Sequence, residues 1–195
     1  STSVDVDTAV IHGKAAFQTW KDMTMKQRAA IMFKFHELMD THTDELCELI
    51  VRENGKNFIE AKGDVAKGNE TVEWSCSLPQ LAAGKFEEVS RGITCTETRE
   101  PLGVVGCIVP FNFPCMVPMW TIPISLVMGN CVIVKPSEKV PRGMQRMAEL
   151  LKQAGLPDGV LLMLSMLFVI ILILLPFLLL VHRKLQRLLP TNAVP

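Results

Sequence analysis

The chain of 195 residues lacks net charge: 20 Lys and Arg balance 20 Asp and Glu, and the isoelectric point is about 6.9. With no sequence-wide positive field to gather phosphates, an ordinary nucleic-acid binder is excluded. Paired cysteines are lacking too. Cys47, Cys76, Cys95, Cys107, Cys115 and Cys131 are scattered, with no C-x-x-C and no histidine-rich partner pattern, so no metal site is assigned. Ser1 to Asp7 are polar and acidic, unlike a secretory signal; the expectation is a reducing compartment in which these thiols pack as small hydrophobes. Neither G-x-G-x-x-G nor G-x-x-x-x-G-K-[ST] occurs, which removes the ordinary dinucleotide fingerprint and the P-loop. Acid is missing from the last stretch: no Asp or Glu follows Asp158.

What is present divides the chain into two unlike pieces. Residues 1–158 hold 17 basic against 20 acidic side chains, a mildly acidic globular composition; over the whole chain, 49% apolar content with 21% charged rules out a disordered tail protein. The mean hydropathy of +0.28 is concentrated in Val160 to Val181, 22 residues of which only Ser165 and Pro176 are not apolar, followed by Arg183, Lys184 and Arg187.

The first eighty residues read as helices. Apolar residues recur at helical spacing from Thr8 to Asp22; Thr24 opens a second helix carrying Ile31, Phe33, Phe35, Leu38 and Met39; a third runs from Thr43 to Asn54-Gly55. Lys56 to Leu81 is expected as one long helix. After Gly84 the period shortens to two, which predicts one or two exposed strands. Gly103 to Val109 is a near-continuous apolar run suited to a strand buried on both faces, Pro110 to Pro114 a loop, Val117 to Met128 a buried helix, Cys131 to Val134 a second buried strand, and Pro141 to Ala154 a helix. Strand, loop, helix, strand, helix is the grammar of a doubly wound parallel sheet.

In such sheets ligands bind beyond the carboxyl ends of the strands, which directs attention to Val109–Pro114 and Lys135–Lys139. Asn112, between two prolines, has two readings: a turn residue closing on its own backbone, or a fixed neutral amide that donates to an oxyanion formed when a thiolate attacks an aldehyde. Lys135 and Glu138 likewise are either a solvated loop pair or partners of an adenosine ribose. In the second case the carboxylate accepts from ribose hydroxyls and repels a 2′-phosphate, which favours NAD over NADP.

Pro110-Phe111-Asn112-Phe113-Pro114, then Gly129-Asn130 and Lys135-Pro136-Ser137-Glu138, form a combination that resembles the aldehyde dehydrogenase superfamily. Phe111, with Gly63-Asp64-Val65, Val72-Glu73 and Cys76-Ser77, is most similar to its methylmalonate-semialdehyde, CoA-acylating branch, over roughly residues 8–161. The resemblance implies Asn112 as oxyanion donor and Val109, Phe111, Lys135, Glu138 and Lys139 as the lining of an NAD site, with coenzyme A as co-substrate and a small aldehyde as substrate. It also implies a carboxylate-binding residue at Lys67, where the branch usually has Arg; a point charge replaces a planar fork, so the exact semialdehyde is left open. Family members carry their nucleophilic Cys and general-base Glu far downstream of the Lys-Pro-Ser-Glu segment. None of the six cysteines here has that context, Cys115 is read as packing, and the chain alone is expected to be inactive and not to form the family's homo-oligomer.

The expected architecture is therefore α/β: residues 1–159 as an incomplete doubly wound parallel-sheet NAD domain preceded by helices, 160–181 as a C-terminal hydrophobic helix, and 182–195 as a short basic tail. At about 1.5 Å per residue that helix would span roughly 33 Å, enough for a bilayer, with the basic end cytoplasmic. Two accounts of it are open. It is a membrane anchor on a non-catalytic dehydrogenase fragment, or the product of a frameshift or intron read-through; interruption inside a cofactor domain favours the second. Localisation follows the family, mitochondrial or cytoplasmic, or the membrane if the run is an anchor.

Overall fold

In the computed structural model, which describes residues 2–164, the chain opens with four helices: α1 (Ser3–Trp20), α2 (Met25–Thr41), α3 (Thr43–Asn54) and α4 (Phe58–Cys76). Helix α1 starts five residues before its apolar periodicity, because Thr2 and Asp5 form a reciprocal capping box; Thr24 and Gln27 do the same for α2. Gly55, at φ +81°, ends α3 in the left-handed conformation, and the Asn57 side chain accepts from the Glu60 N–H to begin α4.

Two long helices expected from periodicity are each broken at proline. The stretch Lys56–Leu81 divides into α4 and a one-turn α5 (Leu78–Leu81), because Pro79 cannot donate to the preceding turn and its ring crowds the carbonyl four residues back. Val117–Met128 divides by the same rule at Pro123 into α6 (Met116–Met119) and α7 (Ile122–Val127). Between them the chain forms β1 (Lys85–Ser90) and β2 (Ile93–Glu97), an antiparallel hairpin exposed along its whole length, and β3 (Val104–Ile108).

Strand β3 pairs in parallel with β4 (Cys131–Lys135), and β4 with β5 (Leu161–Met163), the last connection crossing over through α8 (Pro141–Gln153). Alternation along β4 separates the faces. Ile133 clusters with Ala9 and Leu164 on the α1 side, whereas Val132 and Val134 join the main core with Leu126 of α7 and Met147 and Leu150 of α8. Helices α2, α3 and α4 form a further layer behind α7 and α8, as the shared core residues Phe35, Leu46 and Val65 show.

Strand β5 corrects the reading of 160–181 as one hydrophobic helix. Val160 is buried in the core and Leu161 to Met163 are the third sheet strand, so the apolar run begins as sheet. A short, fully apolar segment cannot declare its periodicity, and parallel pairing beside β4 decides it. The rest of that run, and the basic residues after it, lie outside the described residues. Among the described residues no helix is long and apolar enough to cross a membrane.

Arg28 joins these layers. Its buried guanidinium donates to the carbonyls of Val127 (2.8 Å), Trp20 (3.2 Å), Lys21 (3.4 Å) and Met23, tying the ends of α1 and α7 to the start of α2. Trp20 Nε1 adds a bond to the Leu126 carbonyl at 3.2 Å. Gly129 is required beneath it: its φ is +92°, and a Cβ there would stand 3.1 Å from Arg28 Cζ. Asn130 completes the joint, its Oδ1 accepting from the Leu102 and Gly103 N–H groups at 2.7 and 3.1 Å and so setting the entry of β3.

Candidate nucleotide and aldehyde site

The carboxyl ends of β3 and β4 are joined by one backbone bond, Val109 N–H to the Lys135 carbonyl at 3.1 Å. From that bond the loops Pro110–Pro114 and Pro136–Val140 diverge. Lys135, nearly buried, points its ammonium to Glu138 Oε2 at 3.2 Å, while Glu138 and Lys139 are exposed. Lys139 Nζ lies 4.6 Å from the centre of the Phe111 ring, which couples the second loop back to the first. Val109, Phe111, Lys135, Glu138 and Lys139, separated by up to thirty residues in the chain, are thus brought to one end of the sheet. The Glu138 carboxyl is held below the ordinary glutamate range, first by its own backbone N–H and then by Lys135, so it is an anion throughout the neutral region.

The loop carrying Asn112 is fixed from the other side by the helical layer. Asn54, at the end of α3, donates through Nδ2 to the Phe111 carbonyl at 2.7 Å. Asp64, whose side chain is entirely buried on the inner face of α4, accepts from the Met116 N–H at 2.7 Å and from Lys56 Nζ at 2.9 Å. Lys56 Nζ in turn lies 4.0 Å from the centre of the Phe113 ring. Helix α4 comes this close because position 68 is glycine, where a Cβ would stand 3.1 Å from Cys115 Sγ. Phe111 and Phe113 are therefore held to opposite sides, and the Asn112 amide between them is left exposed.

On the Phe113 side is a cavity of about 360 Å³ lined by Lys56, Glu60, Asp64, Lys67 and Met116. Lys67 is there, apart from the Lys135 cluster, and its ammonium sits 2.8 Å from both Glu70 carboxylate oxygens on the α4 surface. An incoming carboxylate would have to displace Glu70, an exchange between exposed ions that costs little.

No buried cysteine suits nucleophilic attack. Burial raises the thiols of Cys47 and Cys107, pushes those of Cys76 and Cys131 up to about 11, and holds Cys115 well above the ordinary range, with Asp64 adding to the effect. Cys115, three residues from Asn112, packs against Met147 Sδ at 3.4 Å, and a thiol in that setting does not ionise near neutral pH. Among the described residues no cluster of three or more His, Cys, Asp or Glu is placed to hold a metal ion.

Asn54, Lys56 and Asp64 went unassigned from sequence as loop-fixing residues. Asp64 left a signal: it falls on the same helical face as Ala61, Val65, Gly68 and Val72, all buried, and a carboxylate on an apolar face requires a partner. Asn54 and Lys56, beside a glycine at a helix end, left none.

The sequence pattern of the aldehyde dehydrogenase family matches residues 1–166. The chain belongs to that family. Among curated relatives, malonate-semialdehyde dehydrogenase 1 of Geobacillus kaustophilus (strain HTA426) is 48% identical over 162 residues, 83% of this chain and 33% of its own length. Malonate-semialdehyde dehydrogenase of Lacticaseibacillus casei is 46% identical over the same shares. Among solved structures, methylmalonate-semialdehyde dehydrogenase from Oceanimonas doudoroffii superposes with a TM-score of 0.83 at 42% identity, covering 85% of this chain and 34% of that one. A putative methylmalonate-semialdehyde dehydrogenase from Sinorhizobium meliloti 1021, complexed with NAD, gives 0.82 at 38% identity over the same shares. The chain spans about a third of the length of the curated relatives it matches.

Proposed function

We propose that this chain carries the adenosine side of an NAD site together with the oxyanion-stabilising amide of a malonate- or methylmalonate-semialdehyde dehydrogenase, and that it does not turn over aldehyde alone. The observation that carries the reading is the Lys135–Glu138 pair at the carboxyl end of β4, joined to β3 by the Val109–Lys135 bond and to the Asn112 loop by Lys139 and Phe111. The names of the relatives and the NAD-bound neighbour support it.

The residues fit the group they would hold. Lys135 donates to, and Glu138 accepts from, the vicinal hydroxyls of an adenosine ribose, and the Glu138 anion repels a 2′-phosphate. NAD, when bound, supplies the hydride acceptor for aldehyde oxidation. The Asn112 amide, fixed by the Asn54 and Asp64 contacts on either side of its loop, donates to the oxygen that gains charge as a thiolate adds to the aldehyde. Lys67 and the cavity beside Phe113 offer a cation for the carboxylate of a semialdehyde acid. Acyl transfer to coenzyme A, the small aldehyde as substrate and the absence of a family-type homo-oligomer belong to the same proposal.

The purified chain, supplied with malonate semialdehyde, NAD and coenzyme A, is expected to form no NADH, while AMP and NAD bind with similar, millimolar affinity. Two charge-assisted bonds to ribose contribute about 3–6 kcal/mol, and about 4 kcal/mol corresponds to a millimolar Kd. NADH formation that disappears on Asn112→Ala would overturn the inactivity, and undetectable AMP binding by ligand-observed NMR would overturn the half-site. Affinity is expected to stay constant as the pH falls from 8 to about 5, because a carboxyl depressed below the usual glutamate value of about 4.3 stays ionised throughout.

A further inference from the structure

Both loops of the half-site are held from the last turn of α3. Asn54, its final residue, holds the first loop through the Phe111 carbonyl. Glu53, the residue before it, reaches the second. Helix α8 begins where that second loop ends, and its start is poorly satisfied from within: Val140 at the cap position has no side-chain acceptor and Pro141 has no N–H, so the Arg142 N–H is a donor without a local partner. Glu53 Oε2 accepts from it at 3.0 Å, across 89 residues of chain. The Glu53 side chain is only 16% exposed and its charge lies at the positive end of the α8 dipole. The Arg142 guanidinium, at 3.8 Å and largely in solvent, adds little to this contact.

A second contact between the same helices involves no residue of either loop. Glu45, about two turns earlier on α3, takes two bonds from the Arg146 guanidinium at 2.7 and 3.1 Å, beyond the first turn of α8. Glu45 thus joins helix to helix, whereas Glu53 and Asn54 join loop to loop. Neighbours on one helical turn keep a fixed separation, so their two bonds set the spacing of the loops. That spacing puts Lys139 Nζ 4.6 Å from the centre of the Phe111 ring and Glu138 beside Lys135.

We infer that Glu53 is a positioning residue of the half-site: by holding the first turn of α8 it sets the Lys135–Lys139 loop against the Phe111 loop and so places Glu138 for the ribose. The last step rests on the proposed nucleotide function. The placement of Lys139 over Phe111 does not.

Nuclear magnetic resonance on the full chain tests the two steps separately. Protons above the face of an aromatic ring shift upfield, so the Lys139 methylene next to Nζ reports the spacing of the loops without any ligand, and the binding of NAD against NADP reports the place of Glu138. In Glu53→Ala the upfield shift should be lost, and with it the preference for NAD. Glu53→Gln keeps an acceptor for the Arg142 N–H and should restore both. Glu53→Asp draws the acceptor back by one methylene and should weaken both, which gives the same reading should Glu53→Ala not fold. Glu45→Ala should lower thermal stability and leave both signals as in the wild-type chain. An unchanged Lys139 shift in Glu53→Ala, or a loss that Glu53→Gln does not restore, would overturn the inference. So would an equal loss in Glu45→Ala, because α3 would then act through general packing. Failure of the wild-type chain to bind either nucleotide would overturn the placement of Glu138 for a ribose, while the Lys139 shift would still decide whether Glu53 sets the loops.

Discussion

Replacing Arg28 with methionine is expected to lower the unfolding free energy by about 3–5 kcal/mol, because a buried donor with several acceptors is removed at once. Methionine fills similar space, so the effect isolates the guanidinium. Among the described residues the cation has no acidic partner; its donors are met by backbone carbonyls of Trp20, Lys21, Met23 and Val127, which gather where α1 and α7 end. Helix C-termini carry partial negative charge, which offsets part of the desolvation that pulls this guanidinium below its usual pKa. With Arg28 gone, those carbonyls face an apolar side chain and the joint between the helical layer and the sheet opens. Urea unfolding followed by circular dichroism should show a lower midpoint with an unchanged slope. A loss below about 1 kcal/mol, the range of an ordinary surface change, would show that the carbonyls find other donors.

Asp64→Ala is expected to cost about 3–5 kcal/mol as well, by a different route. Removing one partner of a buried pair leaves the other as an uncompensated charge, and here Lys56, only slightly exposed, would be stranded while the Met116 N–H loses its acceptor. Asp64→Asn keeps an acceptor for Met116 without the charge, so it should fall between wild type and Asp64→Ala. The local effect separates this account from general destabilisation. Amide exchange at Met116 should accelerate in Asp64→Ala by more than exchange at core strand positions such as Val132 and Val134. Uniform acceleration across both sets would mean that Asp64 supports the core and not the Asn112 loop.

These two residues mark the limits of what the sequence alone discloses. Strand β4 was legible because a strand buried on both faces writes itself as a continuous apolar run, as Cys131–Val134 does. Val104–Ile108 carries the same pattern, yet among the described residues β3 is an edge strand in which only Cys107 is buried, so the reading of it as covered on both faces is corrected. The helix ends at Thr24 and Gly55 were legible because capping chemistry is local. Pro79 and Pro123 break two stretches whose apolar spacing is helical throughout, so reading by period alone makes each a continuous helix. Strand β5 was hidden by length: three residues inside a 22-residue apolar run carry no period of their own, and only the hydrogen-bond partner supplied by β4 distinguishes them.

The candidate site divides in the same way. Lys135, Glu138 and Lys139 could be found because they follow a recognisable strand, and the rule that ligands bind beyond strand carboxyl ends is topological. Asn112 stood out between prolines. That Lys139 lies over Phe111, and that Asn54 and Asp64 hold the loop from behind, depends on contacts across 28 to 57 residues, which spacing does not encode. Arg28 went unread for the same reason: its partner on α7 is 99 residues away, and a helical arginine beside Gln27 looks like surface.

The half-site is tested most directly by ligand-observed NMR of NAD and NADP binding to the wild-type chain and to Glu138→Gln. With Glu138 ionised beside the ribose, the wild-type chain should bind NAD at millimolar affinity and NADP several-fold more weakly. Glu138→Gln should remove most of that difference by relieving the repulsion of the 2′-phosphate while keeping an acceptor. Equal or tighter binding of NADP by the wild-type chain, or a preference for NAD that survives Glu138→Gln, would contradict the assignment of Glu138 and with it the adenosine half-site at the end of β4.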